Sequence, residues 1–307
     1  MQGQGEMMRR LHAQQRSESR AAWICLLPSV IGLVFLTYLP LLSVCVLGFF
    51  KWGKGAPDPV FVGLDNYVRL FTTDPYFLDS LKVTLLFSLL SVVLSMVYSL
   101  FIAMLLNRRI RGRLFFRAIY YLPYVLPAMA VYIGWSWLYE SNFGLFNYIL
   151  SLLGFSKLRF LADSSLVVPA LAVIAVWLSG NLIVIFLAGL QNVPKVYHDA
   201  AEIDGANSFQ RFVHITVPCM TPIIFYNLLM ALITNMQIVT PALALTNGGP
   251  GNASTFMTYL MYRYAFVSNQ LGYAGAISFI FFIIIALITA LLFVTSKGWI
   301  FYEGERA

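Results

Sequence analysis

The chain has 307 residues, 60% apolar and 11% charged, with a formal net charge of +7; soluble chains carry about 25% charged and 45–50% apolar residues. Every charge lies outside six windows, 21–50, 83–107, 118–139, 164–194, 212–262 and 264–296, which together hold 192 residues. A helix needs about 20 apolar residues to cross a bilayer, so the pattern excludes a soluble enzyme, a secreted disulfide-framed domain and a protein with one membrane anchor.

Residues 1–21 form a polar N-terminal segment carrying Arg9, Arg10, Arg16 and Arg20. The apolar run behind it exceeds the 7–15 residues of a signal-peptide core and lacks a clean small-x-small cleavage site, which predicts an uncleaved first span. The predicted spans are 22–49, 82–106, 116–139, 166–190, 219–245 and 271–296, giving a six-span membrane domain over 22–296 and a polar tail over 297–307. Along the second span, Ser88, Ser91, Ser95 and Ser99 recur every three or four residues, a small-residue stripe of the kind that packs membrane helices. Pro123 and Pro127 predict a kink in the third. Pro241 and the glycine-proline cluster 247–251 divide the window 212–262 into one span and an outer turn. Phe256, Tyr259, Tyr262, Tyr264 and Phe266 then form an aromatic segment suited to the membrane interface.

An even number of spans places both termini on one side, and basic residues select it. With the termini inside, cytoplasmic segments hold thirteen Lys and Arg, including Arg108, Arg109, Arg111, Arg113 and Arg117 in one short loop, against seven outside. Both termini are therefore predicted to be cytoplasmic. The net positive charge follows from this topology and requires no nucleic-acid partner.

Cys25, Cys45 and Cys219 lie within apolar runs and have no CxxC partner. His12, His198 and His214 fall in predicted cytoplasmic segments, so no metal-ligand spacing forms. The chain has no Walker A, H-E-x-x-H or G-x-S-x-G pattern. Span interiors hold no ionisable side chain, whereas proton-coupled transporters commonly place one there.

The loop 191–218 stands apart. Pro194 suits a helix start and Gly205 the left-handed position past its end. Val196, Tyr197, Ala200 and Ile203 can share one face, with His198, Asp199 and Glu202 around the rim. From pattern alone the plainer reading is a linker helix lying along the membrane surface.

Asp199-Ala200-Ala201, Gly205 and Ile215-x-Val217-Pro218 resemble the EAA-x3-G-x9-I-x-L-P loop of ABC-importer permeases, with Asp199 for the usual Glu and Val217 for the usual Leu. Phe61-Val62-Gly63-Leu64-Asp65-Asn66-Tyr67 resembles the F-x-G-L-x-N-Y segment of the sugar-uptake branch. Leu245-Thr246-Asn247-Gly248-Gly249-Pro250-Gly251 is similar to that branch's outer turn, and Leu122-Pro123, Trp135, Gly144 and Asn147 fit its pattern around span three. The resemblance is to permeases for maltose, oligosaccharides and glycerol phosphate, and within them to the maltose-permease F-type subunit.

It implies an all-α membrane protein with the type I importer permease fold, multi-pass in a bacterial inner membrane. It further implies a non-catalytic subunit that holds no cofactor. Its partners would be a second homologous permease, two ATPase subunits carrying ATP and Mg, an extracytoplasmic solute-binding protein, a sugar and membrane lipid. ATPase-coupling contacts would lie on Asp199, Ala200, Ala201, Glu202, Asp204 and Gly205.

For the solute, a midplane site built from hydroxyl-matching polar groups and an aromatic face is expected. Trp177, Asn181, Thr234, Asn235 and Gln237 are the candidates. The same residues suit hydrogen bonding between helices, which membrane proteins use to hold helices together. Two other readings stand beside the importer: a self-sufficient secondary transporter or channel, and a membrane-embedded enzyme. The uncharged span interiors weigh against the first, and the absence of a nucleophile–base or metal set against the second.

Overall fold

A computed structural model describes residues 22–108 and 111–301. Arg9, Arg10, Arg16, Arg20, Arg109 and Arg306, which enter the orientation argument, lie outside the described residues, as does His12.

Helix α1, Ala22–Leu47, is apolar all round and none of its most apolar stretch is buried within the chain. It widens for one turn at Val34–Tyr38, immediately before Pro40. A proline ring collides with the carbonyl four residues back, and a wide turn moves that carbonyl aside. The same device precedes Pro218, where Phe212–Thr216 widens.

Two strands follow, β1 (Phe50–Gly53) and β2 (Ala56–Phe61), antiparallel, with Phe50 opposite Phe61 and Lys51 opposite Val60. This hairpin corrects the all-helical expectation. Pro59 argues against a strand in sequence, but prolines are admitted on edge strands. Gly53 and Gly55 turn at positive φ, and residue 269 ties down the bend, where the Lys54 N–H donates to the Asn269 carbonyl at 2.6 Å.

Helix α2 (Asp65–Thr72) leads into α3 (Phe77–Asn107), the longest helix. Its buried face carries Ser80, Thr84, Ser88, Ser91, Ser95 and Ser99, so the predicted serine stripe is a packing face. The expected third span is two helices, α4 (Arg113–Val125) and α5 (Ala128–Leu138), bent by 99° at Leu126 and Pro127. The fourth is also two, joined after the short α6 (Leu145–Leu152): α7 (Val167–Trp177) and α8 (Gly180–Asn192), bent by 49°. After α9 (Lys195–Ile203), helix α10 runs Ser208–Met236. The span expected to reach 245 therefore ends sooner, and Ala242–Thr246 forms a separate wide turn. The last helices are α11 (Met257–Tyr262) and α12 (Leu271–Ser296).

Among the described residues, four helices are long and apolar enough to cross a membrane, or six if each bent pair is one span. Helix α3 packs against α7, α8 and α10 and forms the central post. The aromatic segment departs from its expected place: Phe256 and Tyr259 are buried, Phe256 lying 4.9 Å from Phe87 between ring centroids. The Met257 N–H donates to Thr84 Oγ1 at 2.9 Å, which anchors the segment on α3. Only Tyr262 and Phe266 of the five are exposed.

Candidate functional site

Helix α9 stands between α8 and α10 as a short exposed rod. Pro194 lies just before it with extended backbone, one residue earlier than expected. At its end Gly205 has φ +81°. The Gly205 N–H donates to the Glu202 carbonyl at 3.1 Å and the Ala206 N–H to the Ala201 carbonyl at 2.8 Å, the paired closure of a Schellman motif. A Cβ built on Gly205 would meet no atom within 4 Å, so glycine is required by conformation and not by crowding.

The next helix is also fixed. Asn207 accepts from the Gln210 N–H at 2.9 Å while Gln210 Oε1 accepts from the Asn207 N–H at 2.8 Å, a reciprocal cap that satisfies two terminal donors. Glu202 pairs with Arg211 across the gap, so α9 is tied to the first turn of α10. The predicted residues Asp199, Ala200, Glu202, Asp204 and Gly205 are exposed and Ala201 is half-buried. Val196 is 72% and Ile203 88% exposed. Two large aliphatic side chains on a nine-residue helix with no buried residue give it an unburied apolar face.

The candidate solute residues divide. Trp177, Thr234 and Gln237 are exposed; Asn181 and Asn235 are half-buried. Helices α8 and α10 run antiparallel in contact: Asn227 Nδ2 reaches the Leu182 carbonyl at 3.4 Å, and Leu182 packs with Ala231. Asn181 and Asn235 lie beside this shared contact, on the same side of it along both helices. Trp177 is one turn further, its ring edge-on to Trp135 with centroids 5.7 Å apart. Asn235 Nδ2 donates to the Ala231 carbonyl of its own helix at 2.8 Å, so its amide N–H₂ does not join helices together. Gln237 follows the last residue of α10, two positions on from Asn235, and at about 100° per residue the helix turns it away from the Asn235 direction.

Three sets of polar residues were not singled out as sites in the sequence. Asn227 is buried, and its Oδ1 has no partner among the described residues; the spacing 227, 231, 235 along one helical face was the available signal. Ser99 Oγ and Ser179 Oγ lie 2.9 Å apart, joining α3 to the break between α7 and α8. Asp74 accepts from the Tyr264 hydroxyl at 2.8 Å and from the Tyr273 hydroxyl. Arg69 lies 4.0 Å over the Tyr273 ring. Burial, and then the bond to the Asp74 carboxylate, raise the Tyr264 pKa, keeping that hydroxyl a donor.

Two of the segments that carried the resemblance are braces. Asn66 Nδ2 donates to the carbonyls of Gly48 and Phe50 at 2.9 and 3.0 Å, and Tyr67 packs on Phe49, clamping the end of α1 to the hairpin. Asn147 is fully buried, donating to the Leu158 carbonyl at 2.9 Å and accepting from the Leu158 N–H at 2.8 Å. Beside Asn147, Glu140 is held below its ordinary carboxylate pKa by N–H donors, that of Phe143 first and those of Asn142 and Ser141 after it.

Residues 95–299 match the family described as binding-protein-dependent transport system inner membrane component. The chain is 35% identical over 310 residues, covering all of both chains, to YesP of Bacillus subtilis (strain 168), named as a probable ABC transporter permease protein. It is 31% identical to the trehalose/maltose transport system permease protein MalF of Thermococcus litoralis, covering 89% of this chain and 92% of that one. Its fold matches a chain from a bacterial ABC transporter involved in the import of the acidic polysaccharide alginate, with a TM-score of 0.80, 21% identity and coverage of 92% and 97%.

Proposed function

The chain belongs to the family of inner membrane components of binding-protein-dependent transport systems, and from that premise we propose that it is one of two permease subunits of an ABC importer for a sugar, a di- or oligosaccharide. Six spans with both termini cytoplasmic fit this role, the bent pairs α4–α5 and α7–α8 each counting as one span. The membrane is the inner membrane of a bacterium. A solute-binding protein delivers sugar to the outer face, and two partner ATPases hold ATP and Mg at the inner face. This chain supplies the pathway and no catalysis.

The observation that carries the proposal is α9: exposed, closed by Gly205, and fastened to α10 through Glu202 and Arg211. A partner that engages Asp199, Ala200, Ala201, Glu202, Asp204 and Gly205 can move α10 with it, because a packed helix shifts as a unit rather than bending continuously. Solute is contacted in the layer of Trp177, Asn181, Thr234 and Asn235, with Gln237 at its outer edge. A relative named for trehalose/maltose transport supports the sugar class. The test is purification of the complex in mild detergent with a tag on this chain. ATPase subunits should copurify, and vesicles should take up labelled disaccharide only with ATP and binding protein present. Uptake by this chain alone would reject the proposal in favour of a self-sufficient transporter.

A further inference from the structure

Arg117 lies in the second turn of α4, and its Nε and Nη2 are buried without a hydrogen-bond partner among the described residues. Leaving two guanidinium nitrogens buried and unpartnered is costly, and no ion pair to Arg117 forms among the described residues. No Asp or Glu occurs anywhere in 80–139, which contains α4 and all but the first turn of α3, and α8 holds no charged residue at all. The guanidinium lines a cavity of about 170 Å³ whose other walls include Leu106, Ile183, Leu187, Ala188 and Gln191.

The depth of this cavity is fixed by the helices that meet there. Leu106 is in the last turn of α3, Gln191 in the last turn of α8, and Arg117 near the start of α4. Three helices begin or end around the Leu106 and Gln191 end of the cavity, which places that end where hydrocarbon gives way to headgroups on the side of the loop carrying Arg108, Arg111 and Arg113, while Tyr121 and Gly180 close its deeper end at the break between α7 and α8. Ala188 and Val184 leave the cavity open outward.

We propose that this cavity is a binding site for the phosphodiester headgroup of an anionic phospholipid of the inner leaflet. Guanidinium pairs with phosphate oxygens through parallel N–H bonds. A basic pocket between membrane helices on the cytoplasmic side is the setting in which such headgroups are held. The apolar walls accept the first carbons of the lipid, and Arg117 supplies the charge. This inference rests on the six-span topology and not on which solute is carried.

The test uses the complete importer with its partner subunits, reconstituted in nanodiscs of phosphatidylcholine with a minority of phosphatidylglycerol. The complex is then extracted in mild detergent, and retained phosphatidylglycerol per complex is measured by mass spectrometry. Wild type retains phosphatidylglycerol, and inorganic phosphate does not displace it. Arg117→Gln lowers the apparent affinity about tenfold, the scale of one charge-assisted bond, while Arg117→Lys and the loop control Arg108→Gln keep most of it. Ala188→Phe, which fills the cavity and leaves the guanidinium in place, also loses the lipid, so the result does not depend on Arg117→Gln folding well. Equal retention in wild type, Arg117→Gln and Ala188→Phe would overturn the assignment. Displacement by inorganic phosphate, or no phosphatidylglycerol on wild type, would overturn it as well.

Discussion

Substituting Gly205 separates what the chain needs from what a partner needs. At φ +81°, an L side chain costs about 1–2 kcal/mol, while asparagine visits this region with far less strain. Because a Cβ there meets no atom within 4 Å, the size of the side chain adds nothing to the cost inside the chain. Intrachain physics therefore ranks Gly205→Asn near wild type, with Gly205→Ala and Gly205→Trp equal. Each of the latter two depletes the closed helix end about 5–30-fold, through the bonds from Gly205 to Glu202 and Ala206 to Ala201. Under the proposed docking, an ATPase seated on this turn would break that equality, because an indole must find room against its surface. Uptake by vesicles carrying the complete importer, normalised to membrane abundance, should be near normal for Asn, reduced for Ala and at background for Trp. ATPase subunits should also be lost from the Gly205→Trp complex. Equal uptake by the Ala and Trp variants with ATPases retained would refute the docking role of this turn.

Asn235→Ala removes a bond made only within α10 and places a better helix former there. Thermal stability should stay within about 0.5 kcal/mol of wild type, while the KM for sugar rises; lowered stability at unchanged KM would assign the residue to packing. Asp74→Asn weakens the bonds from Tyr264 and Tyr273, and hydrogen bonds to a charged group are worth about 1.5–3 kcal/mol each. Its melting temperature should fall and proteolysis between α11 and α12 should rise, and an unchanged digest would show that the aromatic contacts alone hold this region. Glu140 has a depressed pKa from the Phe143, Asn142 and Ser141 N–H donors. Its contribution is present above the unfolded carboxylate pKa and is lost as pH falls through the lower folded value. Proteolytic protection of the 140–147 turn should follow that acid limb in wild type and be flat in Glu140→Gln.

The apolar runs were legible because charge avoids hydrocarbon: the charge-free windows enclose α1 and α12, while α3 begins six residues ahead of its window and carries Asp79 and Lys82 in its first two turns. Leu271–Ser296 was located to the residue. The breaks inside the third and fourth spans were harder to read. Pro127 announced the 99° bend, whereas the 49° bend falls at Ser179-Gly180, a serine–glycine pair of the kind that kinks helices but that lies inside an unbroken apolar window, and Ser99 bonds Ser179 there. The hairpin was hidden by Pro59 and by its dependence on residues 269 and 270, more than 200 positions away. The inward burial of Phe256 and Tyr259 was hidden for the same reason, since Phe87 and Thr84 lie far off in sequence. Local chemistry, such as the left-handed Gly205, was visible where only a few neighbouring residues decide it, whereas the clamp by Asn66, whose partners lie 16 and 18 positions away, was not.

The break between α7 and α8 has an electrostatic consequence for the residues around it. Trp177 ends one helix and Gly180 begins the next, so the negative end of one macrodipole faces the positive end of another. Each is equivalent to roughly half an elementary charge. The pair offers partial charges of both signs with almost no net charge, in a stretch that holds no ionisable side chain. On the proposed pathway, a hydroxyl-bearing solute, which donates and accepts together, would meet partial charges of both signs here. An ion brought to the same place would have to shed its water against a dipole pair that offers little net field.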